Sequence, residues 1–237
     1  MRLILITICK LVFILSAQAQ NHQEIKRYFG KSYQKALQYL QKNKAMLRKH
    51  LPPNPQEAAF VLSIGFPELL RFHALQNSLE TAFLEVLYVR KGTAYANFSV
   101  GRFQMKPSFA ETLEGYIKNN LRLNAPKIYL YKVKETSNIR KARIKRLNNL
   151  GWQLKYLQCL YKALNHRYAR TKFKSHLQKL RFFASAYNYG FLNSYARINN
   201  WSKIKAFPHG KNSTRKQLNY SIIAADFYWN EGMKLVR

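Results

Sequence analysis

Ten carboxylates are all the acid chemistry this chain can draw on: Glu24, Glu57, Glu68, Glu80, Glu85, Glu111, Glu114, Glu135, Glu231 and Asp226. A single aspartate excludes the Asp-rich clusters that hold Ca²⁺ or Mg²⁺. Glu68 stands apart because its neighbours are apolar, with Phe66 and Pro67 before it and Leu69, Leu70 and Phe72 close behind. Burial disfavours the charged form, so a carboxyl in such a setting holds its proton toward neutral pH and can serve as a general acid. The competing reading is a surface glutamate in the first turn of a helix that begins at Pro67, where the helix dipole favours negative charge. Glu80 and Glu85 could supply a base that activates water, but five positions apart on a helix they face different directions. The cysteines and histidines lack zinc-ligand spacing, so no metal and no cofactor is expected.

An acid needs elements to position it. Residues 22–49 carry Ile25, Tyr28, Phe29, Tyr33, Leu37, Leu40 and Leu47 near helical spacing with lysines between them. This predicts an amphipathic helix, or a pair broken near Gly30, ended by Pro52 and Pro53. Asn54-Pro55-Gln56-Glu57 then joins an N-cap residue, Pro at the first helical position and Glu three residues after the cap. The helix it opens is expected to be short, limited by Gly65 and Pro67. Ser78 opens another that stops at Gly92, and Pro107-Ser108 with Glu111 forms a further capping-box start. Helical periodicity returns over 139–150, 151–164, 175–190 and 218–232. Residues 125–133 are the best strand candidate. The chain is therefore expected to be mainly α, with a single domain over 54–237, an N-terminal helical extension over 20–53, and at most a small β element.

Three segments stand in a suggestive order: residues 63–72 with Glu68, Gly101-Arg102-Phe103-Gln104-Met105 followed by Pro107-Ser108, and Ala186-Tyr187-Asn188-Tyr189-Gly190. Together they resemble the motifs of the lytic transglycosylase and goose-type lysozyme superfamily (SLT-type, lysozyme-like). Asn219-Tyr220 resembles a fourth family segment, and the resemblance covers about residues 56–225. It implies Glu68 as the catalytic acid and base. It also implies Gly101, Gln104 and Met105 as the lining of a glycan cleft, with Tyr187, Asn188 and Tyr220 close to the acid. Tyr187 is expected to hydrogen-bond the Glu68 carboxyl or the developing intermediate. The implied reaction is cleavage of the β-1,4 bond between N-acetylmuramic acid and N-acetylglucosamine in peptidoglycan, closing a 1,6-anhydro sugar with no water consumed. Hydrolysis by a muramidase of the same fold is the alternative outcome. The chain departs from the family pattern at Leu69, where a serine is usual, at Arg102-Phe103, and at Lys216, which stands where the family has a glutamate. Without the resemblance, Phe103 and Met105 read as core residues, Tyr187 as a core tyrosine, and Asn188 and Gly190 as a helix end.

The 41 Lys and Arg residues against 10 Asp and Glu give a formal charge of +31. Such an excess is expected to meet a polyanion: nucleic acid, an anionic membrane or an acidic wall polymer. Basic runs lie at Arg140, Lys141, Arg143, Lys145 and Arg146, and again from Arg167 to Arg181. They read either as solvated helix faces or as holders of peptide-stem carboxylates and wall polyanions. Residues 1–19 begin with Arg2, continue through an apolar run interrupted by Lys10, and end in Ala17-Gln18-Ala19. They predict a signal peptide, with an uncleaved anchor as the alternative. No other stretch approaches the roughly 18 to 20 apolar residues of a membrane span. The expected location is the periplasm or cell envelope, and the expected partners are peptidoglycan strands, anionic wall polymers or a cell-envelope machine. Nucleic acid is not expected, because no nucleic-acid motif is present. A basic glycan-binding or nucleic-acid-binding protein without catalysis is the rival from another class.

Overall fold

The computed structural model describes residues 20–74, 78–120, 125–128 and 135–236. The signal-peptide reading of 1–19 lies outside them, as does most of the strand candidate over 125–133; its described part, 125–128, is not strand. The fold is mainly α. Its elements are α1 (20–29), α2 (Lys31–Lys42), α3 (Lys44–His50), α4 (Pro55–Ala74), α5 (Ser78–Lys91), α6 (Pro107–Asn120) and α7 (Ser137–Leu147). They continue with α8 (Leu150–Arg167), α9 (His176–Tyr189), α10 (Tyr195–Trp201), α11 (Tyr220–Phe227), a π turn (Tyr228–Gly232) and α12 (Met233–Leu235). Extended pairing among the described residues is limited to two isolated bridges, Val100 with Met105 and Phe207 with Leu218. No helix among them is long and apolar enough to cross a membrane.

The centre is α4. Asn54 caps it, its Oδ1 accepting from Gln56 N at 2.9 Å and Glu57 N at 3.1 Å. The helix does not stop at Gly65 or Pro67 but runs unbroken for 20 residues. Every residue from Ala58 to Leu70 is buried, and a helix that is apolar all round belongs inside a core. Packing from α2, α8, α9 and α11 therefore overrides the local cost of the proline. Gly65 serves closeness rather than termination, because a Cβ there would stand 2.9 Å from Phe103 and 3.0 Å from Leu157.

Helices α1 and α2 break at Gly30, where φ is +48°. Ile25, Phe29, Tyr33, Ala36, Leu40 and Leu47 join the same core cluster as Phe227, Tyr228 and Leu235. His22 Nδ1 lies 2.8 Å from Asp226 Oδ2, and Tyr28 donates to the Lys216 carbonyl at 2.8 Å. The first helices thus clasp the last ones.

Part of the first basic run is internal. Arg143 is fully buried and donates to Glu114 at 2.8 Å, Glu135 at 2.6 Å and the Tyr88 hydroxyl at 2.6 Å, with Glu111 at 3.3 Å. Glu111 also accepts from Tyr88 and Thr93, so its carboxylate serves this network rather than a capping box with Ser108. Arg140 donates to the carbonyls of Val89 and Arg90, and Arg146 to that of Ile128. In this run only Lys141 and Lys145 are exposed.

Candidate active site

A cavity of about 470 Å³ opens beside the C-terminal half of α4. Its walls include Glu68 and Arg71 from α4, Gln104, Met105 and Lys106 from the turn before α6, and Tyr187 to Asn193 from the end of α9 and its loop. Glu68 is the only carboxylate among the described lining residues. The three sequence segments are therefore brought to one place by α4, the 100–105 turn and α9.

Glu68 is only 4% exposed. Asn188 Nδ2 donates to its Oε1 at 3.4 Å, and Arg71 Nε stands 2.9 Å from Oε2, one helical turn away. That approach is a charge contact without hydrogen-bond geometry, which leaves Oε2 buried and without a hydrogen-bond partner. Burial raises the Glu68 carboxyl above the ordinary glutamate range, and the opposing pulls of Arg71, Asn188 and Lys106 do not cancel it. The alternative of an exposed first-turn glutamate does not describe this residue, which lies deep in a continuous helix.

The sign of the resulting linkage is fixed. A folded-state pKa above the unfolded one means the contribution of Glu68 to stability is full below about pH 4.3 and is lost as pH rises through the raised value. Glu68→Gln is therefore expected to gain stability relative to the parent as pH is raised from 4 to 8. Urea midpoints measured across that range check the trend, and a difference independent of pH would contradict it.

The turn from Val100 to Met105 is closed by reciprocal backbone bonds between its ends, at 2.9 and 3.0 Å. Gly101 has φ +69° and Gln104 φ +51°. Gln104 lines the cavity while its Nε2 donates to the Gly101 carbonyl at 3.0 Å, and Met105 lines it with 1% exposure. Phe103 is fully buried. Gly101 does not line the cavity. The space beside it is filled from below, since an added Cβ would lie 2.3 Å from both Gln153 Nε2 and the Leu147 carbonyl. Its missing side chain thus serves the protein's own packing instead of close approach by a sugar. Gly101→Ala is expected to cost about 2 kcal/mol or more, through clash and a disfavoured φ together, measured as a lowered denaturation midpoint.

Tyr187 lines the cavity, but its hydroxyl donates to the Phe103 carbonyl at 2.7 Å and not to Glu68. The edge-on packing of its ring against Phe109, 5.2 Å between centroids, directs it there. Tyr220 lies behind the wall and donates to the Ile64 carbonyl at 3.0 Å. Burial and the Glu68 charge both push these two phenols well above their ordinary pKa, so they remain neutral donors. Asn219 caps α11, accepting from Ile222 N at 3.1 Å. Lys216 pairs with Glu24 at 3.0 Å. Glu85 accepts from Asn148 at 2.8 Å and is not on the cavity wall; the side chain of Glu80 lies outside the described residues.

The structure adds two residues that the motifs do not mark, Arg71 beside the acid and Trp201 behind Asn188. Arg71 was signalled by its i, i+3 spacing from Glu68 on a helix. Trp201 carried no such signal: its indole Nε1 donates to Asn188 Oδ1 at 2.9 Å from the separate helix α10. Among the described residues no group of His, Cys, Asp and Glu is placed to hold a metal ion.

No protein family, curated protein or solved structure matches the chain. The functional reading therefore rests on these residues and on the motif resemblance.

Proposed function

We propose that this chain is a divergent lytic transglycosylase that cleaves peptidoglycan strands in the cell envelope, with Glu68 as its single acid and base. The observation that carries the reading is a lone buried carboxyl, raised in pKa, on the wall of a cavity. Two-carboxylate glycosidases place the pair about 5 to 10 Å apart, and among the described residues no second carboxylate lines this cavity.

In the proposed reaction the Glu68 proton passes to the glycosidic oxygen as the bond to C1 of the muramoyl residue breaks. The N-acetyl carbonyl oxygen covers C1 as an oxazolinium-type intermediate. The Glu68 carboxylate then takes the proton of the C6 hydroxyl, whose oxygen closes on C1 to give the 1,6-anhydro ring. The same group is acid and then base, and ends the cycle protonated. The Arg71 guanidinium stabilises the carboxylate between the two steps, and Asn188 and Gln104 offer amide groups to sugar hydroxyls or N-acetyl groups. Lys106, exposed on the rim, offers a charge to a lactyl or peptide-stem carboxylate.

The test is the mass of the products released from purified peptidoglycan by residues 20–237. Anhydro-ended fragments are expected. Reducing-ended fragments would reassign the chain to hydrolysis, and absence of release would remove the enzymatic reading.

A further inference from the structure

An asparagine amide has two faces of opposite character, and only one of them helps a carboxylate. Asn188 presents Nδ2 to Glu68 Oε1 at 3.4 Å and Oδ1 to the Trp201 indole Nε1 at 2.9 Å. An indole N–H can only donate, so the atom facing it must be the amide oxygen. The ring of Trp201 is itself held by stacking on Tyr189, with centroids 4.7 Å apart and an interplanar angle of 21°.

We propose that Trp201 is a positioning residue: it fixes the Asn188 amide so that its NH₂ group, and not its carbonyl, faces Glu68. Tyr189 anchors the indole, the indole orients the amide, and the amide sets the hydrogen bond available to the carboxylate. The role assigned to this bond rests on the proposed function, in which Glu68 is the acid and base. The bond itself does not depend on any reaction.

The other charged and titratable groups facing Glu68 are Arg71 from its own helix, Lys106 from the preceding turn of α6, Tyr187 from α9 and Tyr220 from α11. None of them touches Oδ1 of Asn188, so none can replace the indole in choosing the face of the amide.

The experiment follows the Glu68 carboxyl carbon by NMR titration in the mature chain, without substrate. Trp201→Phe keeps an aromatic ring against Tyr189 but removes the donor. The freed amide can then turn its carbonyl toward Glu68, which disfavours the carboxylate. The Glu68 midpoint is expected to rise by about half a pH unit or more. In an Asn188→Leu background the same Trp201 substitution is expected to do nothing further. An unchanged midpoint in Trp201→Phe, or an equal shift in both backgrounds, would overturn the proposal. Should Trp201→Phe not fold, hydrogen exchange of the indole N–H groups in the parent decides. Trp201 is expected to exchange slowly and Trp229, 55% exposed, quickly; equal rates would overturn the proposal. If the chain releases no glycan fragments at all, the titration still reads Trp201, so failure of the functional reading and failure of this one are separable. With activity present, the pH–rate profile is expected to move in the same direction as the midpoint.

Discussion

Replacing Glu68 by glutamine is expected to reduce release of anhydro-ended fragments about 1,000-fold while leaving the chain folded. Positioned proton transfer contributes roughly 100- to 10,000-fold in enzymes, and in the proposed reaction a single group carries both transfers. Glutamine keeps the shape of the side chain but puts an amide that neither gives nor takes the proton in place of the carboxyl, so a loss of rate cannot be traced to a collapsed cavity. Because the residue is buried against Arg71 and Asn188, circular dichroism of the variant is expected to match the parent. Activity at parental levels in a folded Glu68→Gln chain would sink the mechanism. The rate of the parent is expected to fall as pH rises through the raised Glu68 value, because the first step needs the protonated form.

The second large effect lies far from that chemistry. Arg143→Met is expected to destabilise the fold by about 3–5 kcal/mol, because removing one partner of a buried ionic cluster strands the others. Three glutamates and Tyr88 converge on this guanidinium, and Glu114 is itself fully buried. A lowered urea midpoint with the slope unchanged is the expected record. Arg143→Lys is expected to recover only part, since an ammonium cannot serve several carboxylates in the fork geometry of a guanidinium. A loss below about 1 kcal/mol would mean that the cluster contributes little to stability.

These two residues also show how far the sequence could be read. Glu68 was legible because its apolar neighbours and its glycine- and tyrosine-bearing companion segments are local patterns, and local patterns survive in one dimension. Arg143 was not, because in sequence it sits among other cations and looks like a solvated face; its partners lie 8 to 55 positions away. The helix around Glu68 runs through Gly65 and Pro67, against the sequence expectation, for a related reason. Propensity marks both as breakers, but burial on every side of α4 decides the matter. Gly101 is expected to line the cleft, yet it packs against a glutamine side chain and a backbone carbonyl that no spacing rule reveals. The predominantly helical class follows from periodicity and caps; Asn54 caps with its side-chain oxygen as expected, and Ser175 and Asn219 cap α9 and α11 in the same way.

The clasp between the two ends of the chain has a kinetic meaning. His22 meets Asp226 across 204 positions and Tyr28 meets Lys216 across 188, so these pairings close very long loops. Contacts of such separation slow folding and form only when both paired segments are present. A growing chain can therefore pack α2 on α4 early, but α1 lacks its contacts at Lys216 and Asp226 until those later segments are made. A segment made well before Asp226 is thus sealed only after it.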